Sequence, residues 1–144
     1  MGSDDASVLV REVMTRNPKT IGYGQGVRAA IATLATGKFR HLPVVDDGGA
    51  LVGILSQADV LAAMPSMCDP SVSQQDRDSY LGFMAVEKLM RRSVVTVTSG
   101  VGIVEAARLM RTHRVNCLPV VEDDGIVGIV TSYDLLGALE SVRI

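Results

Sequence analysis

The sequence has no tryptophan and only 3% aromatic residues, so it offers no large stacking platform for a base or a sugar. No apolar run reaches the length needed to cross a bilayer. The two cysteines, Cys68 and Cys117, stand in unlike contexts and lack metal-site spacing, which excludes a disulfide framework or a zinc module. Apart from Arg91-Arg92 there is no dense basic run, and 14 basic residues against 16 acidic ones leave a formal charge of -2. That balance gives no support to sequence-independent nucleic-acid binding. Few cysteines and no signal-peptide pattern lead to the expectation of a reducing, cytoplasmic setting, with the polar Met1 to Ser7 as a mobile start. What is abundant is Val, Ile, Leu, Ala and Met. Apolar residues make up 47% of a 144-residue chain, enough for a core of helices packed on sheet.

One pattern stands twice, as Gly53-Ile-Leu-Ser56-Gln-Ala-Asp59 and as Gly128-Ile-Val-Thr131-Ser-Tyr-Asp134. Each copy reads as a buried strand running into a helix. The hydroxyl and carboxylate three residues apart fit a capping box, which satisfies unpaired N–H groups at a helix start. The same geometry also suits a ligand, because a helix start favours phosphate and a nearby carboxylate can accept both hydroxyls of a ribose. The two readings are compatible.

From Val8 the chain reads as a short helical turn that ends ahead of Pro18, followed by a brief strand at Lys19-Thr20-Ile21. Gly22, Gly24 and Gly26 punctuate a turn that has neither P-loop nor dinucleotide spacing. Val27, Ala30, Ile31 and Leu34 mark the buried face of a helix stopping near Gly37. Leu42-Pro43-Val44-Val45 and Leu51 to Leu55 form a hairpin around Asp46-Asp47-Gly48-Gly49, with Pro43 pointing to an edge or an irregular strand start. A helix after Ser56 carries Val60, Leu61 and Met64 and stops at Pro65. Pro65 to about Tyr80 is a polar linker without periodicity, and Leu81, Met84, Val86, Leu89 and Met90 read as a helical lead-in to a second unit.

The same order then restarts. Met14 falls on Met90, a shift of 76 residues, and the same shift carries Thr20 to Thr96, Ala30 to Ala106 and Leu42-Pro43-Val44-Val45 to Leu118-Pro119-Val120-Val121. Beyond the hairpin turn the shift is 75, which places a single deletion in that surface turn, where length changes cost little. The expected fold class is α/β (α+β): two tandem β-α-β-β-α repeats, at 8–64 and 81–144, joined by a linker at 65–80.

The segments MTRNPKTI, FRHLPVV and GILSQAD, then LMRRSVVTV, VNCLPVV and GIVTSYD, resemble two tandem CBS motifs, named after cystathionine β-synthase. The resemblance implies a CBS pair, or Bateman module, with the repeats packed about a pseudo-twofold axis. It implies a regulatory module that dimerises and binds an adenosyl ligand such as AMP, ADP, ATP or S-adenosylmethionine, with no cofactor required. By position, Asp59 and Asp134 resemble ribose-binding aspartates, and Ser56 and Thr131 the hydroxyl residues beside ribose and phosphate. Thr20-Ile21 and Thr96-Val97 would flank adenine, with Pro43 and Pro119 near its face. Phosphate would be met by Lys38, Arg40 and His41 in the first repeat, and by Arg114, with Asn116 and Cys117 following, in the second. The second site therefore carries less positive charge, and the two are not expected to be equivalent.

Each of these residues also has a plainer reading. His41 can be a solvated turn residue, His113 a helix-end residue favourable to the local dipole, Cys117 a small partly buried residue and Arg91-Arg92 a solvated helix end, although the position of this pair near the second strand could also serve phosphate. Met84, Met90 and Met110 belong to apolar faces. With no metal-ligand cluster and no nucleophile elbow, an enzyme is not expected. The expectation is a stand-alone cytoplasmic sensor: a homodimer that signals to an effector protein, without membrane or nucleic-acid contact. The alternative is a ligand-free dimerisation scaffold.

Overall fold

A computed structural model describes residues 8–36, 39–63, 71, 73, 75, 84–123 and 125–141. Gly37, Lys38, Met64, Pro65, Leu81 and most of the 65–80 segment lie outside the described residues. The elements run in the order α1 (Val10–Val13), β1 (Thr15–Arg16), β2 (Ile21–Gly22), α2 (Val27–Leu34), β3 (His41–Val45), β4 (Leu51–Ser56) and α3 (Gln57–Ala62). A single 3₁₀ turn at Val86–Lys88 opens the second half, followed by α4 (Ile103–His113), β5 (Cys117–Glu122), β6 (Gly125–Thr131) and α5 (Ser132–Glu140). This is the mixed α/β architecture expected from the sequence.

The chain divides into two compact units that do not coincide with the sequence repeats. A central unit holds Lys19–Ser93, and a split unit joins Met1–Pro18 to Val94–Ile144. In the central unit the sheet order is β2-β3-β4, with β2 parallel to β3 and β3 antiparallel to β4. Arg91 adds an antiparallel bridge to Ile54 on the outer side of β4. The split unit repeats this pattern: β1-β6-β5 are antiparallel, and Val97 bridges Val120 in parallel. The lead-in of each repeat therefore pairs with the hairpin of the other.

The lead-ins are shorter as helices than their apolar spacing suggests. Each makes one turn and then extends, because its N–H groups serve the loop ahead of a helix. Val86 N–H donates to Gln25 carbonyl (2.8 Å), and at the matched place Val10 N–H donates to Val101 carbonyl (2.8 Å). Arg91 is accordingly part of an extended bridge rather than a helix end.

A reason for the repeated glycine also emerges. A Cβ at Gly53 would stand 2.6 Å from Met90 Sδ and 3.0 Å from the Arg91 carbonyl oxygen. At Gly128 it would collide with Met14 Sδ and stand 3.0 Å from the Thr15 carbonyl oxygen. In both units the glycine makes room for a methionine and for close approach of the lead-in backbone.

The two cores correspond position by position. Val86, Ile21, Leu42, Val44, Leu55 and Val60 in the central unit match Val10, Val97, Leu118, Val120, Val130 and Leu135 in the split unit. Burying each such side chain contributes ~1.5–3 kcal/mol. Leu61, in contrast, is 65% exposed while its neighbour Val60 is buried. Residues adjacent in a helix point about 100° apart, and the six residues of α3 bury only one stripe.

Pro43 is fully buried in β3, the middle strand of its sheet, and not at an edge. It is tolerated because parallel pairing starts just beyond it. In the split unit Val97 N–H donates to the Pro119 carbonyl (3.1 Å) and Val121 N–H to the Val97 carbonyl (2.9 Å). The next bond back would require an N–H on Pro119, which has none. Each proline thus limits the parallel strand to a short contact. The one-residue shift falls in the hairpin turn as expected, since Val45 pairs with Leu51 whereas Val121 pairs with Ile126.

Gly53→Ala and Gly128→Ala should each lower unfolding stability by about 1–3 kcal/mol, as overpacking does. Chemical denaturation checks this, and unchanged midpoints would refute the glycine–methionine constraint.

Candidate functional site

Both heptads end in a closed capping box. Asp59 N–H donates to Ser56 Oγ (3.0 Å) and Ser56 N–H donates to Asp59 Oδ2 (3.1 Å). At the matched place Asp134 N–H donates to Thr131 Oγ1 (3.3 Å), while Thr131 N–H (2.9 Å) and the Thr131 hydroxyl (3.1 Å) donate to Asp134 Oδ2. The first residue of each helix is satisfied as well. Gln57 N–H donates to the Arg40 carbonyl and Ser132 N–H to the Asn116 carbonyl, both at 2.9 Å. With these first-turn donors engaged, the helix starts offer less to a phosphate than the sequence suggests. The carboxylates keep accepting capacity for ribose hydroxyls, since an ionised carboxylate has about four lone-pair sites.

Strand register brings one further candidate to each capping box and sets others along the same sheets. His41 pairs with Ser56 and Cys117 with Thr131, which sets the first residues of β3 and β5 beside the capping boxes. Ile21 pairs with Val44, next to Pro43, and Val97 with Val120, next to Pro119. Thr20 and Thr96 are exposed just ahead of these buried residues. Arg40 and Asn116 are exposed at the matched strand entries. Arg114 caps α4 in the left-handed conformation (φ 56°), two residues ahead of Asn116. Arginine adopts it at a cost of about 1 kcal/mol that glycine would avoid. Lys38, at the matched position, lies outside the described residues.

Arg91 is the residue sequence reasoning underweighted. Its Nη2 lies 3.3 Å and its Nε 3.4 Å from Asp59 Oδ1, with Asp59 only 16% exposed and Arg91 68%. The matched position on the other lead-in is Thr15, which pairs with Ile129 in β6, the strand that runs into the helix carrying Asp134. Burial by itself would raise the Asp59 pKa, but the Ser56 hydrogen bonds and Arg91 outweigh it and hold the carboxyl below its ordinary 3.8. At the His41-equivalent position the Cys117 thiol is pushed up to about 12, first by burial and then by the charge of Asp134. It is a neutral, inert group. A groove of about 480 Å³ lies along α4, lined by Val104, Ala107, Arg108, Arg111 and Thr112, none of them a candidate.

Two α/β units, each with a three-stranded sheet, a capped helix and a matched carboxylate, define a tandem-repeat module. The CBS domain family matches residues 10–66 and 86–141, and the chain belongs to that family. It is 35% identical to a CBS domain-containing protein of Dictyostelium discoideum, covering 94% of this chain and 93% of that one. It also resembles the CBS domain pair of protein MJ0100 in complex with 5′-methylthioadenosine and S-adenosyl-L-methionine, with a TM-score of 0.77, 26% identity, and coverage of 95% of this chain and 99% of that one. A third likeness is to CBSX2 in complex with AMP, with a TM-score of 0.75, 29% identity, and coverage of 94% and 98%. Larger relatives contain the same module: 88% of the chain is 32% identical to 23% of a homoserine O-acetyltransferase from Methanococcoides burtonii. Among the described residues no helix is long and apolar enough to cross a membrane.

Arg91→Thr should raise the Asp59 pKa toward its ordinary value, as read from the side-chain carboxyl carbon by NMR titration. Because that pKa is depressed in the folded state, its stabilising contribution is present above 3.8 and is lost as pH falls through the lower folded value. The variant should therefore show less acid-dependent loss of stability over that range, by under about 1 kcal/mol for so exposed a partner. An unmoved Asp59 titration would refute the pairing.

Proposed function

We propose that this chain is a regulatory module that binds an adenosyl ligand at its duplicated carboxylate sites and passes the occupied state to a partner protein. The observation that carries this reading is the repeated hydroxyl–carboxylate pair, Ser56/Asp59 and Thr131/Asp134, fixed by the same hydrogen bonds in both units. It gains support from CBS pairs of similar fold bound to adenosyl compounds. In this reading the ribose hydroxyls donate to Asp59 or Asp134, Pro43 and Pro119 lie near the base, and phosphate meets the basic residues at 38, 40, 41 and 114. The ligand is drawn from AMP, ADP, ATP and S-adenosylmethionine. The role requires no proton transfer.

Isothermal titration of nucleotide-free protein with these four ligands tests the reading, and saturable binding to at least one is expected. Asp59→Asn and Asp134→Asn should each weaken binding at one site by about 10–100-fold, the worth of a hydrogen bond to a charged group. Folding should change little, since asparagine still caps a helix. Normal binding by both variants would refute the site, and no binding by the wild type would leave the scaffold reading.

The module is further read as a homodimer joined through α4 and α5. Val104, Leu136 and Leu139 are each at least 60% exposed and Tyr133 is 82% exposed, an unusual density of apolar side chains on two packed helices. The same helices carry Glu105 and Glu140 as well as Arg108 and Arg111, so the face has both signs of charge and can complement itself about a twofold axis. The groove along α4 could receive a leucine of the second copy. Leu136→Glu should convert a dimer to a monomer in sedimentation equilibrium. A wild-type monomer would refute the pairing.

A further inference from the structure

The two sites share a scaffold but differ in charge at three matched positions. Around Asp59 stand Arg40, His41 and Arg91; around Asp134 the equivalents are Asn116, Cys117 and Thr15. Each change replaces a basic or protonatable side chain with a neutral one. Basic residues shared by both repeats do not cancel this difference. Arg114 and Lys38 occupy one matched position and so discriminate nothing. Arg92 and Arg16 each follow the site-facing residue on an extended lead-in, and successive side chains there point to opposite faces. Arg92 accordingly pairs with Glu87 (3.7 Å), and Arg16 donates to the Arg11 carbonyl (3.3 Å).

Building on the adenosyl-binding reading, we propose that the sites divide ligands by charge: the Asp59 site takes a phosphorylated adenosine nucleotide, and the Asp134 site takes an adenosyl compound without phosphate. A phosphate brought near Asp59 would meet a carboxylate already bonded to a guanidinium. Arg91 has five N–H donors in a planar fork, so it can keep its bond to Asp59 Oδ1 and still donate to phosphate oxygens. Around Asp134 the three matched positions supply no such cation. There the carboxylate repels a phosphate, and favours an uncharged 5′ substituent or a positively charged sulfonium. The ribose contact is common to both sites, and the 5′ group is what each discriminates.

AMP and 5′-methylthioadenosine share the same adenosine and differ at the 5′ group, so they are the two probes. Each is titrated calorimetrically into nucleotide-free wild type and into Arg91→Thr, Thr15→Arg, Asp59→Asn and Asp134→Asn. The lead-in substitutions exchange residues that the two repeats already use at that position. AMP affinity should fall about 10–100-fold in both Arg91→Thr and Asp59→Asn, the range for a lost charge-assisted hydrogen bond. 5′-Methylthioadenosine should weaken only in Asp134→Asn, and Thr15→Arg should add a second AMP site. Thermal midpoints within a few degrees of wild type establish that each variant is folded. Unchanged AMP affinity in Arg91→Thr, or loss of both ligands through the same aspartate, would overturn the division while leaving adenosyl binding intact. Failure of the wild type to bind either probe would overturn both.

Discussion

Each sheet is closed by a methionine lying where a β-carbon would otherwise stand. Met90 against Gly53 and Met14 against Gly128 bring the extended lead-in within reach of the hairpin's outer strand, where backbone hydrogen bonds fix it. A larger residue at either glycine would hold the lead-in away from the sheet. The rest of each unit depends on that contact, because the lead-in also supplies a fully buried valine to the core, Val86 in one unit and Val10 in the other. The chain passes between units after Pro18 and again after Ser93. A segment cut at the sequence repeats, such as 8–64, would lack Val86 and Met90 and leave the core of the central unit open. Duplication in sequence has thus become interdependence in structure.

That interleaving also decides the character of the sites. Arg91 belongs to the second repeat by sequence, but it serves the carboxylate of the first. Thr15 is likewise carried by the first repeat to the sheet that ends at Thr131. The hairpins and capped helices are built alike, so the common scaffold sets where a ribose could be held. The lead-ins and strand entries, less constrained by packing, set the charge around it. Exposed positions can vary without loss of core contacts, and apart from the buried Cys117 the sequence differences between the sites fall at exposed or half-buried positions.

Much of this was legible in the residues, and the exceptions share one cause. Helices α2 and α4, both hairpins, both capping boxes and the single-residue difference in the hairpin turn come from local rules: periodicity, turn chemistry and the spacing of hydroxyl and carboxylate. Interactions that bring together residues far apart in sequence were not legible. The glycine of the heptad could be seen to repeat, but its reason lies in a methionine 37 residues onward for Gly53 and 114 residues earlier for Gly128. The apolar spacing of the lead-ins suggested longer helices because periodicity cannot register backbone hydrogen bonds to a remote loop. Pro43 suggested an edge or an irregular strand start because the rule concerns a missing donor; the strand lies in the middle, and it is the parallel pairing that starts past the proline. Arg91 next to Arg92 looked like a solvated helix end or a phosphate contact, since no local rule connects it to Asp59, 32 residues earlier.

A capped carboxylate is well suited to binding for a reason separate from the charge around it. Its side chain is held by the backbone N–H of the hydroxyl residue, so a ligand need not first order it. Preorganisation of this kind lowers the cost of association. At Asp59 the second oxygen is engaged by a mostly exposed arginine whose backbone pairs with Ile54 and whose preceding residue is Met90. A ligand that draws on this guanidinium therefore acts at the point where the lead-in is locked to the sheet. Binding can change a conformational equilibrium only through differential affinity for its states, and in the proposed reading Arg91 would couple ligand charge to the contact that closes the unit. Thr15, at the corresponding place, has no charge through which to do so. Of the two proposed sites, the one at Asp59 would be the better placed to transmit its occupied state.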